Sequence, residues 1–108
     1  MARTPERAVK DKVRKILTDM GAYLFMPATH GYGKSGVPDI VGCYQGIFFA
    51  IECKAGKGKT TALQERELNL IRSAGGVSFV VNEENLDEVE KTIILHADRL
   101  VRLSNSEL

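Results

Sequence analysis

Two apolar runs, Asp39–Tyr44 (DIVGCY) and Ile47–Cys53 (IFFAIEC), are separated by only Gln45-Gly46, and this spacing constrains the fold of the chain more than any other feature. Strand-like runs joined by two residues form an antiparallel hairpin, because so short a connection leaves no length for a crossover. Glycine suits the second turn position, whereas glutamine is an uncommon first one. With the turn centred there, Tyr44 faces Ile47 and pairing runs outward until Asp39 faces Glu52. Directly opposed side chains have Cβ atoms ~4.5–5.5 Å apart. Lys54 follows Glu52 by two residues and so projects from the same face. The run IFFAI, with Cys53 beyond it, marks the second strand as central, and charges at the end of a buried strand are costly unless they serve a purpose.

The rest of the chain reads as short elements with short turns, without repeats or linkers. A helix is expected over Pro5–Met20, capped by Thr4, started by Pro5 and stopped by Gly21, with Val9, Val13, Ile16, Leu17 and Met20 at helical spacing. Ala22–Met26 reads as a strand, and Thr29–Gly36 as a glycine-rich loop. After the hairpin, Thr61 and Gln64 match a capping box opening a helix that ends at Gly75-Gly76. Val77–Val81 reads as a strand. Asn85 with Glu88 suggests a second capping box, for a helix ending near His96. The tail from Arg99 either adds an edge strand at Leu100–Leu103 or frays. Ile93-Ile94-Leu95 and Leu100-Val101 read equally as core or as interface. The order αβββαβα describes one α/β domain over residues 1–108, with a central mixed β-sheet flanked by helices.

Composition narrows the classes. A chain of 108 residues, 44% hydrophobic and 27% charged, has the proportions of a globular domain. The net charge of +1 does not announce a nucleic-acid binder, so any positive surface must come from uneven placement, as in Arg7–Lys15 and Lys54–Lys59. Cys43 and Cys53 form no CxxC pair, and the histidines are His30 and His96, which argues against a disulfide framework or a zinc site. There is no signal-peptide pattern at the N-terminus and no bilayer-spanning run, so a cytoplasmic, non-secreted protein without membrane contact is expected, in the host cytoplasm if viral.

Adjacent carboxylates repel, which raises a pKa or recruits a cation. Oxygen ligands at this spacing suit Mg²⁺ or Mn²⁺, which are typically held by one or two carboxylates together with substrate phosphates. Such an ion polarises a phosphoryl oxygen and steadies a leaving oxygen. Lys54 would add positive charge for the transition state, and the backbone carbonyl of Cys53 is a further potential ligand. The plain alternative is a cross-strand ion pair in which Lys54 screens two surface acids.

Gly36-Val37-Pro38-Asp39, Ile51-Glu52-Cys53-Lys54 and Thr61-Ala62-Leu63-Gln64 together resemble the virus-type replication-repair nuclease (VRR-NUC) domain of the PD-(D/E)xK superfamily. The similarity runs from Gly36 to Val81, with the first helix as the usual opening helix. The resemblance implies a restriction-endonuclease-like fold, with Asp39 and Glu52 as metal ligands, Lys54 as the catalytic lysine and Gln64 as the glutamine near the active site. It implies that Glu6 completes the metal site, although Asp11 lies on the same helix and an acid in a first helical turn is ordinary. Gln64 is equally explained by its capping box. A metal-dependent DNA endonuclease is implied, structure-selective for branched or four-way junction DNA in replication, recombination or repair. Short stand-alone members resemble phage proteins, and a homodimer would set two sites on two strands.

Lys34, Ser35, Lys57, Lys59 and His30 are candidate DNA contacts, in loops that read equally as solvated, and Tyr32 is a candidate for base stacking. Gly33-Lys34-Ser35 and Gly58-Lys59-Thr60 imitate the end of a phosphate-binding loop. The required upstream glycine is replaced by Ala28 and Cys53, so no nucleotide cofactor is expected. Two rivals remain: a binding module that kept the fold and lost cutting, and a nucleotide hydrolase using one of these loops.

Overall fold

The computed structural model describes residues 4–28 and 35–106. His30, Tyr32 and Lys34, candidate DNA contacts, lie outside the described residues. The elements are α1 (Pro5–Met20), β1 (Tyr23–Phe25), β2 (Ile40–Tyr44), β3 (Ile47–Cys53), α2 (Ala62–Ser73), β4 (Val77–Val81) and α3 (Glu88–Ser106). The order αβββαβα is the one expected.

The four strands form one mixed sheet in the order β1-β2-β3-β4. β1–β2 and β2–β3 pair antiparallel, and β3–β4 pair parallel across the α2 crossover. The hairpin has the expected register, with Tyr44 opposite Ile47 and Ile40 opposite Ile51. Gln45 and Gly46 both take positive φ, 46° and 85°, as the favoured two-residue hairpin turn requires. Gln45 thus accepts a left-handed conformation more usual for asparagine or glycine.

Alternation along β3 divides the molecule into layers. Phe49, Ile51 and Cys53 join Val9, Val13 and Leu17 of α1 and Val89 and Ile93 of α3 in the main core. The intervening residues face α2, where Ser78 Oγ donates to the Leu68 carbonyl at 2.7 Å and Arg72 Nε donates to the Ser78 carbonyl. β3 is therefore buried on both faces, as its composition predicted, and Glu52 on its α2 side is only 2% exposed.

The ends of the chain correct two expectations. The third helix runs to Ser106, so the tail forms neither an edge strand nor a frayed end near His96. The helical spacing of buried Ile93 and Ala97 continues to Leu100, whose side chain overlies the hairpin turn at Gly46. Ile93 belongs to the core, whereas Leu95, Leu100 and Val101 are exposed. Nor does Asn85 cap this helix. Its side chain accepts from the Asn82 N–H and donates to the Val80 carbonyl, closing the turn after β4. No helix among the described residues is long and apolar enough to cross a membrane.

Candidate active site

The C-terminal end of β3 is where the N-termini of α1 and α2 meet the start of β2, and each contributes one part of a charged cluster. β2 itself begins at Ile40, so Asp39 sits just before the strand rather than in it. Its Oδ2 accepts the Cys53 N–H at 2.9 Å, which ties the carboxylate to the backbone of β3 beside Glu52. The Cys53 thiol faces the core, where burial, followed by the charges of Asp39 and Glu52, pushes it up to about 12. It stays neutral, and only the backbone of Cys53 addresses the cluster.

Glu6 arrives from the first turn of α1. Thr4 starts that helix by accepting the Arg7 N–H at 3.1 Å, and Pro5 follows in the first turn. One carboxylate oxygen each from Glu6, Asp39 and Glu52 lie within 4.8 Å of one another. Of the other acids on the same helix, Asp11 pairs with Arg7 and Arg14 at 3.5 and 3.7 Å and Asp19 with Lys15 at 2.9 Å.

Gln64 combines the two readings that its sequence position allows. Its Oε1 accepts the Thr61 N–H at 2.9 Å while its own N–H donates to Thr61 Oγ1, completing the capping box. Its Nε2 donates to Glu52 Oε2 at 2.9 Å. The amide that starts α2 therefore also holds the buried carboxylate. Gly36 presses this arrangement together: a Cβ there would lie 2.5 and 2.6 Å from the carbonyl carbon and oxygen of Leu63, and 2.8 Å from the Gln64 nitrogen.

Lys54 Nζ lies 3.5 Å from the same Oε2 of Glu52, and its side chain is largely buried. The other oxygen, Oε1, is buried with no hydrogen-bond partner among the described residues. Burial, and then the charge of Asp39, raise the Glu52 carboxyl to about 7, against the pull of Lys54. A carboxylate with an orphaned, water-excluded oxygen facing two more acids is short of positive charge. The donor set is all oxygen, which fits a hard divalent cation.

Lys10, not singled out in the sequence, also reaches this cluster: its Nζ lies 3.5 Å from Asp39 Oδ1. The available signal was its place four residues after Glu6, on the same side of α1. Ser35, Lys57 and Lys59 are exposed, and in sequence they flank the segments that carry Asp39 and Lys54. The loop carrying Lys57 and Lys59 is tied down by the Gly56 N–H, which donates to the Glu83 carboxylate at 2.9 Å.

A sequence profile of the archaeal Holliday junction resolvase (Hjc) family matches residues 5–102. The chain belongs to this family. Membership places it among structure-selective DNA nucleases. The matched span includes α1, so Glu6 and Lys10 lie inside it as well as the hairpin. Among solved structures, the chain is similar to a protein described as a VRR_NUC domain, with 24% identity, TM-score 0.67, and coverage of 84% of this chain and 96% of that one. It is also similar to a VRR_NUC domain protein, with 19% identity, TM-score 0.61, and coverage of 91% and 92%. These likenesses agree with the PD-(D/E)xK-type nuclease fold that the GVPD and IECK segments resemble. A third similarity, to the Archaeoglobus fulgidus Holliday junction resolvase Hjc, has 24% identity over 66% of this chain and 63% of that one, and its TM-score of 0.49 adds nothing to the fold assignment. No curated protein sequence matches.

Proposed function

We propose that the chain is a Mg²⁺- or Mn²⁺-dependent endonuclease that hydrolyses phosphodiester bonds in branched DNA, four-way junctions above all. The observation that carries this reading is the orphaned, buried Oε1 of Glu52 beside the carboxylates of Asp39 and Glu6. The family supports the substrate class.

Asp39, Glu52 and Glu6 would hold the cation, with the Cys53 carbonyl as a further ligand. The cation would supply positive charge to polarise the scissile phosphate. Gln64 keeps Glu52 Oε2 engaged, leaving Oε1 for coordination. In the hydrolytic step the oxygen of water bonds to phosphorus as the bond from phosphorus to the leaving nucleotide oxygen breaks. Overall the proton that the water gives up is balanced by the one that the leaving oxygen takes up, so one product end is a phosphate and the other a hydroxyl. Lys54 orients the water and offsets the charge that builds on the phosphoryl oxygens, an effect strengthened by its shielding from solvent. Ser35, Lys57 and Lys59, with His30 and Lys34, would contact phosphates on either side. A homodimer would present two such sites to two strands, and the protein would act inside the cell.

The test incubates the protein with labelled four-way junction, flap, splayed-arm, single-stranded and duplex DNA, in chelator and after Mg²⁺ or Mn²⁺ is restored. Cutting of the junction ahead of the duplex, only with metal, is expected. Tight binding without cutting of any form would make the chain a non-catalytic binding module, and metal-independent cutting would remove the cation from the account.

A further inference from the structure

The two oxygens of Asp39 have different partners. Oδ2 accepts the Cys53 N–H, a bond set by the backbone of β3, while Oδ1 faces the Lys10 ammonium at 3.5 Å. The oxygen that the strand leaves over is therefore the one that Lys10 covers. The backbone donor is fixed by strand pairing, but a lysine side chain swings away on its flexible stem. Lys10 is also not sealed in, since its side chain remains 23% exposed.

We propose that Lys10 is a positioning residue that stands in for the divalent cation at Asp39, yields to it when metal and DNA bind, and passes its ammonium to a phosphate of the bound strand. The inference rests on the metal-dependent reading above. In the metal-free protein Lys10 lowers the mutual repulsion of Glu6, Asp39 and Glu52 and keeps them in place. An incoming cation meets a like charge at Asp39, and a DNA phosphate relieves that repulsion by drawing Lys10 away. Metal and DNA then strengthen each other's binding, and by linkage they do so equally.

The test measures Mn²⁺ binding calorimetrically, without DNA, to the wild type, Lys10→Met, Lys10→Gln, Lys10→Arg and Glu52→Gln, with circular dichroism to verify folding. Removing the positive charge should tighten Mn²⁺ binding roughly tenfold in the Met and Gln variants, while Lys10→Arg stays near the wild type. At saturating Mn²⁺ the Met variant should show a raised KM for junction DNA, with kcat changed much less. A residue that merely braces the site would give the opposite sign, weaker Mn²⁺ binding on its removal. Unchanged or weaker binding in both neutral variants, with Glu52→Gln abolishing it, overturns the role of Lys10 alone. Absence of Mn²⁺ binding by the wild type, or binding that survives Glu52→Gln, overturns the metal reading and this inference with it.

Discussion

Glu52 is the buried carboxyl of the acidic cluster. Its carboxyl is raised from 4.5 to about 7 because ionisation takes place out of water and next to Asp39. A carboxyl raised on folding contributes stability that is complete below its unfolded pKa and lost as pH climbs through the folded value. The metal-free protein should therefore lose up to about 3 kcal/mol between pH 4.5 and 7 from this group, then level off. Urea unfolding in chelator at pH 5 and pH 8 should show that loss, and Glu52→Gln should abolish most of it. Gln64 gives a second prediction at this scale. Gln64→Ala breaks half of the capping box and should cost about 1 kcal/mol, whereas Gln64→Glu keeps the cap and sets an anion against Glu52. In Gln64→Glu the midpoint pH for Mn²⁺ binding should move upward, which titration calorimetry across pH would detect. Asp39, Glu52 and Lys54 were legible as a group in the sequence because strand alternation and a two-residue turn dictate their meeting. Lys10 was not, because its partner lies 29 positions away, just before β2, and no periodicity links them.

At the level of elements, the hairpin and the start of α2 were readable because their signals are local. Register followed from Gln45-Gly46, and the helix start from Thr61 and Gln64. The end of α3 is hard to read from sequence because Leu100–Leu103 is a short, mostly apolar run that suits a strand as well as a helix, while its helical continuity with Ile93 and Ala97 shows only once burial is known. Asn85 misled for a related reason: its amide is a good cap in isolation, but the turn after β4 claims it first. What sequence pattern does not convey is why a glycine precedes Val37-Pro38-Asp39. Gly36 takes φ 79° and fits against the backbone that carries Gln64. Gly36→Ala should therefore cost clearly more than Gly21→Ala, whose left-handed φ is similar but which has open space around it. Strain at such a φ alone is worth about 1 kcal/mol or more. Denaturant midpoints of the two variants compare them directly, and equal losses would mean that Gly36 matters only for its backbone angle.

For the whole molecule, charge is nearly balanced at +1, which predicts only moderate non-specific affinity for DNA. Selectivity should then reside in shape, with binding to a four-way junction preferred over plain duplex and a shallow dependence on salt. A steep salt slope with equal affinity for both forms would contradict this. Exposed apolar side chains on β1 and α3, including Tyr23, Phe25, Leu95 and Val101, leave surface for a second copy. Sedimentation at micromolar concentration should report a dimer. The central claim is that the buried carboxylate of Glu52, with Asp39 and Glu6, holds the cation that cutting requires. The most direct measurement compares cleavage and binding of one labelled four-way junction by the wild type and Glu52→Gln in Mg²⁺. The account predicts that Glu52→Gln in Mg²⁺ binds the junction as the wild type does in chelator, having lost the coupling to metal, and loses at least ~100-fold in cleavage rate. Cleavage by Glu52→Gln at the wild-type rate would contradict it.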